Sequence, residues 1–277
     1  MEGIVSNKLK VMNTSDTLDY ILEHNCSIAR YGDGELTIID GGYLHFQSSN
    51  PELGERLKNV KTTENCLVCI PDAFGGNLDR EVLTKLEVDF WEDNVSKNKE
   101  KWENLFSECS VLGDAFISRF YLRYLDRDVA TQNLNKLRQL WDGRDIVFVE
   151  GKNSRLGMGN DLFFNAKSIR RILCPLKDAF DRYEDIKASI LKNCKKGDLI
   201  IVALGPTATV LAHDLSDSGL QLLDLGHIDI EYEWYLSGTK KKTPVKNKFV
   251  NEARTADDCE DGDVDEKYLS EIIDRVY

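Results

Sequence analysis

The sequence lacks any long uninterrupted apolar run and any excess of basic residues. No stretch approaches the roughly 20 apolar residues of a membrane-spanning helix, and residues 1–16 lack the apolar core of a secretory signal. The 36 Lys and Arg residues are outnumbered by 48 Asp and Glu residues, which gives a net charge of −12. A basic face that follows a nucleic-acid backbone is therefore not expected. These absences predict a cytoplasmic protein with no transmembrane segment and no nucleic-acid partner.

A disulfide framework is also absent. The cysteines are odd in number and scattered through apolar stretches, which is typical of reduced thiols in a cytoplasmic protein. Cys66 and Cys69 have the spacing of a zinc-binding pair, but no second pair follows, so we expect them to be buried strand residues. The seven cysteines are Cys26, Cys66, Cys69, Cys109, Cys174, Cys194 and Cys259.

Short apolar runs alternate with segments of helical periodicity along most of the chain. The runs predict buried strands at 27–30, 66–70, 146–149, 169–173 and 199–204. The periodic segments predict helices at 16–23, 79–106, 131–141, 178–192 and 208–216. This alternation predicts an α/β fold on a largely parallel sheet flanked by helices.

The carboxyl-terminal residues differ in character from the rest. Residues 257–266 form an acidic run whose spacing does not match a calcium-binding loop. An amphipathic piece follows it and predicts a short helix. We therefore expect one large domain over residues 1–250 and a solvated acidic tail over residues 251–277.

The first candidate motif is Arg30-Tyr-Gly-Asp33-Gly-Glu35, which follows the first predicted strand. In a parallel sheet, ligands bind beyond the carboxyl ends of the strands. The glycines Gly32 and Gly34 free the backbone, so Asp33 and Glu35 could point at one divalent cation in an extended or tightly turned loop. Arg30 could bind a phosphate or orient a carboxylate. The alternative is a polar turn, since Asp-Gly is common turn chemistry.

Two further motifs follow later strands. Residues 150–161 are rich in glycine and hydrogen-bond donors, and Ser154 and Arg155 within them are candidates for holding an anion. Gly205, Pro206 and Thr207 form a strand-to-helix turn whose free N–H groups could hold a pyrophosphate or a base. Capping loops without a ligand remain an alternative for both motifs.

The fourth motif places several titratable side chains together. His227, Asp229 and Glu231 share one face if residues 224–234 form a strand, and His227 lies one turn from Glu231 if they form a helix. A histidine beside carboxylates could deprotonate an acceptor hydroxyl or complete a metal site. A structural hydrogen bond of His227 is the alternative.

Taken together, these motifs resemble the GT-D-type glycosyltransferases, and the match runs in order from about Ser27 to Trp234. The residues that carry it are Arg30-Tyr-Gly-Asp-Gly-Glu35, Ser118-Arg119, Glu150-Gly, Ser154-Arg-Leu-Gly157, Gly205-Pro206, and the 224–234 motif that begins at Asp224. The resemblance implies a Rossmann-like α/β fold, a UDP-sugar donor, and an Asp-x-Glu motif on Asp33 and Glu35 that holds Mn²⁺ or Mg²⁺. Characterised relatives look like glucosyltransferases that extend O-glycans on bacterial serine-rich repeat adhesins.

The resulting hypothesis is a metal-dependent hexosyltransferase that acts on a glycan or glycoprotein acceptor. Two alternatives remain: a metal-dependent nucleotide-sugar hydrolase, and a non-catalytic sugar-nucleotide binding module. A dehydrogenase is disfavoured because no Rossmann glycine fingerprint follows the first strand. The candidate catalytic residues are Asp33, Glu35, Glu150, His227, Asp229 and Glu231. The candidate donor-binding residues are Arg30, Gly32, Gly34, Ser154, Arg155, Gly205, Pro206, Thr207 and Asp224.

Overall fold

The computed structural model of the chain describes residues 9–250 and 266–277. Outside these ranges lie residues 1–8 of the amino-terminal segment and residues 257–265 of the acidic run, which include Cys259. No helix within the two described ranges is long and apolar enough to cross a membrane. The other six cysteines are free thiols, and burial raises the pKa of Cys26 to about 11.

One parallel sheet organises the described residues. Its strands are β1 (Ser27–Arg30), β2 (Cys66–Ile70), β3 (Gly113–Asp114), β4 (Asp145–Gly151), β5 (Ser168–Cys174), β6 (Leu199–Ala203), β7 (Gln221–Asp224) and β8 (Ile272–Arg275). Their order across the sheet is β3-β2-β1-β7-β6-β4-β5-β8, and every pairing is parallel. The predicted α/β fold on a parallel sheet is confirmed.

Helices cover both faces of the sheet. They are α1 (Thr14–His24), α2 (Asp33–Ile39), α3 (Pro51–Asn59), α4 (Lys85–Phe106), α5 (Arg127–Gln139), α6 (Tyr183–Asn193), α7 (Pro206–Asp214), α8 (Ile228–Ser237) and α9 (Glu266–Glu271). Side chains of successive strand residues point to opposite faces. Accordingly, Ile28 packs in the core formed with α1, α5 and α8, whereas its neighbour Ala29 packs in the core formed with α3, α4 and α7.

The helix boundaries have local causes. The Asn13 side chain accepts a hydrogen bond from the Asp16 N–H and so caps α1. Asn50 caps α3 in the same way, and Pro51 occupies the first helical position, where its missing N–H costs nothing. The predicted helix at 79–106 begins later, at Lys85, because Thr84 caps it.

Residues 266–277 contribute a helix and an edge strand beside the sheet, whereas a solvated tail with a short helix was expected there. The short helix α9 is present, but β8 pairs with β5 as an edge strand of the sheet. Arg171 of β5 connects α9 to β4, since its guanidinium contacts Glu271 of α9 at 2.8 Å and Glu150 of β4 at 2.6 Å. The sequence pattern missed β8 because a four-residue strand beside an acidic run carries no clear alternation.

The Arg171 contacts predict a large cost for removing its charge. Arg171→Leu leaves the fully buried Glu150 carboxylate without its cation, so we expect the free energy of unfolding to fall by about 3 to 5 kcal/mol. Urea denaturation measures this change. Lys167→Ala, which removes the exposed pair with Asp145, is the control and should cost less than about 1 kcal/mol. Equal losses of unfolding free energy in the two variants would contradict the role of Arg171 as the cation that neutralises Glu150.

Candidate active site

A pocket of about 490 Å³ lies at the carboxyl ends of β1, β4, β6 and β7. This volume is within the usual range of small-molecule sites. Strand β1 lies between β2, which follows it in the chain, and β7, which is reached much later. The strand order therefore reverses beside β1, where open α/β sheets bind ligands.

Most of the predicted site residues meet at this pocket, and some do not. The pocket is lined by Arg30, Gly32, Asp33, Gly34, Glu35, Ser154, Gly205, Asp224, His227 and Asp229. Outside the lining lie Glu150, Arg155, Pro206, Thr207 and Glu231. The first group is in contact with the pocket, whereas the second lies behind its lining.

Asp33 and Glu35 lie in the first turn of α2 rather than in an extended loop. The Glu35 carboxylate folds back to accept a 2.7 Å hydrogen bond from the Gly32 N–H. Asp33 is exposed at the pocket, and its carboxylate has no hydrogen-bond or ion-pair partner within residues 9–250 and 266–277. Residues two apart in a helix point about 200° apart. The two carboxylates therefore diverge, which differs from the geometry expected from their spacing.

Glu35 has an unusual protonation equilibrium. Burial raises the pKa of its carboxyl to about 7, and the nearby charge of Asp224 adds to this effect. The Gly32 N–H donates to the carboxylate and acts in the opposite direction. Glu35 can therefore gain or lose a proton near neutral pH.

Arg30 and Asp224 form an ion pair that joins β1 to β7. The Arg30 guanidinium contacts Asp224 Oδ1 at 3.2 Å and donates to Ser118 Oγ at 2.6 Å and to the Ala115 carbonyl at 2.9 Å. Burial raises the pKa of the Asp224 carboxyl, although the charge of Arg30 opposes the shift. Of the two roles considered for Arg30, this geometry matches the orienting of a carboxylate.

The turn between β6 and α7 presents a helix amino terminus to the pocket. Gly205 has φ 55° and ψ −142°, a conformation that favours glycine. Pro206 takes the first helical position. Thr207 Oγ1 is buried and has no hydrogen-bond partner among the described residues. The first N–H groups of a helix, together with its dipole, favour an anion at this end.

Residues 228–234 lie in α8, which begins directly after His227, so the helical alternative for His227 and Glu231 holds. His227 caps the helix at φ 77°, and its Nε2 lies 3.8 Å from Glu231 Oε2. Glu231 is buried and accepts hydrogen bonds from the N–H groups of Tyr121 and Leu122. Glu231 therefore supports the backbone beside the pocket and does not face it.

Asp229 lines the pocket but is strongly held. Its Oδ1 accepts from the Gly157 N–H at 2.9 Å and from Asn160 Nδ2 at 2.8 Å. Its Oδ2 contacts the buried Lys248 ammonium at 2.6 Å, and Lys248 also contacts Glu233. Asp229 thus ties α8 to the 157–160 segment and to Lys248.

Glu150 and Arg155 are buried residues that fix the position of the 151–160 loop through hydrogen bonds. Glu150 is fully buried and accepts from Arg171 and from the Leu156 N–H at 2.7 Å. Arg155 is 2% exposed and donates to the Asn247 carbonyl at 3.1 Å. Both side chains are buried and neither lines the pocket, so the structure does not bring Glu150, a candidate catalytic residue, or Arg155, a candidate anion-binding residue, to its surface.

The comparison with known proteins decides the family. Residues 28–253 match the family described as glycosyltransferase GT-D fold. The chain belongs to this family. The resemblance inferred from the sequence motifs is confirmed.

Two curated relatives and two solved structures resemble this GT-D-fold chain closely. It is 40% identical over 271 residues to glycosyltransferase GlyD of Streptococcus pneumoniae serotype 4, covering 97% of this chain and 33% of that protein. It is 36% identical over 272 residues to the probable glycosyl transferase Gly of Streptococcus gordonii, covering 96% of this chain and 39% of that protein. The chain thus spans well under half the length of these relatives.

The solved structures match over almost their full length. One is a new glycosyltransferase from Streptococcus sanguinis, with a TM-score of 0.86, 36% identity, and coverage of 97% of this chain and 100% of that chain. The other is a highly conserved domain with a distinct glycosyltransferase fold, with a TM-score of 0.87, 38% identity, and coverage of 98% and 96%.

The residues of this GT-D-fold chain fit a metal ion only with help from a ligand. No group of three or more His, Cys, Asp and Glu residues in the described ranges could hold a metal. Asp33, however, offers a carboxylate that has no partner among the residues that the structure describes. Mg²⁺ typically binds one or two carboxylates together with substrate phosphates. The donor set therefore fits an ion shared with a diphosphate and does not fit a cage made by the protein alone.

Several pocket residues were not identified from the sequence motifs. They are Leu44, Phe46, Trp91, Phe116, Leu176 and Phe249. Single aromatic or aliphatic residues in loops carry no spacing signal, so only the fold reveals them. Arg119 and Lys242 also line the pocket. Arg119 was part of the motif resemblance, and Lys242 belongs to the short basic stretch 240–242. The sequence also carried no indication that Lys248 is buried against Asp229, since one lysine in a loop usually lies in solvent.

The raised pKa of Glu35 predicts a pH-dependent stability. Between its unfolded value of 4.5 and its folded value of about 7, the unfolded chain ionises Glu35 while the folded chain keeps the proton. Stability relative to Glu35→Gln should therefore fall by about 2 kcal/mol as the pH rises from 4.5 to 7 and then level off. Denaturant unfolding at several pH values measures this difference.

The same substitution at the exposed Glu64 reports the general effect of removing one carboxylate. A pH dependence of Glu35→Gln that parallels that of Glu64→Gln would contradict the raised pKa.

Proposed function

We propose that this chain transfers a hexose from a UDP-sugar to a hydroxyl group of a glycan acceptor, with the help of Mn²⁺ or Mg²⁺. The supporting observation is one pocket that combines the amino terminus of α7 with the carboxylate of Asp33, which has no partner in the described part of the chain. A diphosphate needs both a cation and N–H donors to balance its charge. Membership of the GT-D-fold family makes the diphosphate of a sugar nucleotide the natural occupant.

The donor diphosphate would lie between these two features. The backbone N–H groups that begin α7 would contact its oxygens, whereas the buried hydroxyl of Thr207 lies outside the pocket lining. Asp33 would hold the ion together with diphosphate oxygens, whereas the Glu35 carboxylate points away from Asp33 in α2 and would not share the ion. The ion would stabilise the negative charge of the departing nucleoside diphosphate.

Two pocket residues could accept the proton of the attacking hydroxyl. Glu35 has a pKa near neutral, which suits a general base. His227 lines the pocket, and Glu231 lies within 3.8 Å of its ring. Asp229 is less suited, because Lys248, Gly157 and Asn160 already occupy its carboxylate. We therefore place Asp229 in the shaping of the pocket.

The donor sugar and the acceptor follow from the family resemblance. We propose glucose as the hexose and a bacterial glycoprotein or surface polysaccharide as the acceptor, because the motif resemblance points to glucosyltransferases of adhesin glycosylation. Relatives named as streptococcal glycosyltransferases support the bacterial setting. The reaction would take place in the cytoplasm, where sugar nucleotides are made.

The test is UDP release from a panel of UDP-sugars with Mn²⁺, with and without glycan acceptors. Asp33→Asn keeps the size of the side chain but removes its charge, so we expect acceptor-dependent release to fall at least about a hundredfold. Asp40→Asn, at an exposed carboxylate just after α2, is the control and should stay within about twofold of the wild type.

Other outcomes identify the alternatives. Release that needs no acceptor would indicate a nucleotide-sugar hydrolase. UDP binding without turnover, unchanged in Asp33→Asn, would indicate a binding module. Full activity of Asp33→Asn would contradict the proposed metal site.

A further inference from the structure

A strained backbone position lies next to the pocket and has no part in the mechanism above. Asp178 has φ 52° and ψ 40°, the left-handed conformation that side chains other than glycine adopt only at a cost. It follows β5 and begins a short 3-10 turn at Ala179–Arg182. Backbone strain of this kind persists only where surrounding contacts hold it in place.

Asp178 contacts one tight turn in a distant part of the chain, residues 44–48, which we name the Phe46 turn. The Asp178 N–H donates to the Phe46 carbonyl at 3.0 Å, and the Asp178 carboxylate accepts from the Ser48 N–H at 2.6 Å. The turn is closed by hydrogen bonds between the backbones of Leu44 and Gln47, at 2.8 and 3.2 Å. Asp178 thus binds the Phe46 turn through both the backbone and the side chain of Asp178.

The Phe46 turn packs on two glycines of the pocket. A Cβ atom added at Gly205 would overlap the ring of Phe46, so the ring lies directly against the turn before α7. A Cβ atom at Gly34 would lie 3.2 Å from Leu44, so Leu44 covers the turn that carries Asp33 and Glu35. The Phe46 turn therefore bridges the two places proposed to hold the donor diphosphate.

The segment just before Asp178 packs in the same manner. Leu176 lies 3.5 Å from the position of a Cβ atom on Gly151, at the end of β4. Leu44, Phe46 and Leu176 all line the pocket, and we refer to these three residues as its apolar wall. Asp178 joins the two segments that supply this wall.

We propose that Asp178 is a positioning residue that holds the apolar wall, and above all Phe46, against Gly205, and so sets the fit of the nucleotide donor. The donor part rests on the proposed function. Since Asp178 does not line the pocket, it acts through the Phe46 turn and not on the reacting atoms. Loosening the turn should weaken donor binding and leave the chemical step nearly unchanged.

Three substitutions separate the contributions of Asp178. Asp178→Gly keeps the left-handed backbone and the N–H bond to Phe46, but it deletes the carboxylate. Asp178→Asn keeps an oxygen acceptor for the Ser48 N–H and also tolerates this backbone. Asn25→Gly is the matched control, because Asn25 is an exposed left-handed residue after α1, at φ 50°.

The first measurement is UDP affinity by calorimetry with Mn²⁺, together with kcat and KM for the donor. We expect Asp178→Gly to raise the Kd for UDP and the donor KM about fivefold, with kcat within about twofold of the wild type. Asp178→Asn and Asn25→Gly should match the wild type within about twofold. Unchanged Kd and KM in Asp178→Gly, or a fall in kcat alone, would overturn the proposal.

The second measurement needs no ligand. Gly205→Ala forces a methyl group towards the Phe46 ring, and its backbone strain is the same in every background. If Asp178 holds the ring in place, Gly205→Ala should lower Tm less in Asp178→Gly than in the wild type. Equal losses of Tm would overturn the positioning role. A wild type that binds no nucleoside diphosphate would instead contradict the proposed function. The comparison of Tm values would still test whether Asp178 holds the Phe46 ring in place.

Discussion

The ion pair of Arg30 and Asp224 is the interaction on which the candidate site depends. It joins the carboxyl ends of β1 and β7, the neighbours at which the strand order reverses. Thr209 of α7 strengthens the join, since its hydroxyl donates to the Arg30 carbonyl at 2.9 Å. A buried charge pair with additional hydrogen bonds resists separation because either partner alone would be left unsolvated. Helix α2 follows β1, and helix α7 follows β6, the other neighbour of β7. The relative position of the two helix starts therefore depends on this ion pair.

The remaining acidic residues of the site divide by whether they have a partner. Glu150, Asp229 and Glu231 are buried, and each accepts backbone or cationic donors. Their charges hold loops in place, and their carboxylates are occupied. Asp33 and Glu35 differ, because Asp33 has no partner in the described ranges and Glu35 titrates near neutral pH. Of these five carboxylates, those of Asp33 and Glu35 are therefore the ones best placed to act on a ligand.

The sequence predicted the central strands and the edge of the sheet where the pocket lies, because buried parallel strands are continuous apolar runs that end in glycine or charge. It did not predict that Asp33 and Glu35 begin a helix, since Asp-Gly-Glu suits a turn equally well. The strand β3 has two residues, too few for a pattern. Lys248 and Asp178 were beyond prediction for a different reason. Their partners are distant in the chain, and only the folded structure brings them together.

The central claim is that one pocket holds a nucleoside diphosphate between Asp33 and the start of α7. A crystal structure with UDP and Mn²⁺, with the metal located by its anomalous scattering, tests this most directly. The account predicts a single manganese peak at the Asp33 carboxylate and diphosphate oxygens within hydrogen-bond distance of the first N–H groups of α7. A diphosphate bound elsewhere, or manganese bound away from Asp33, would contradict it.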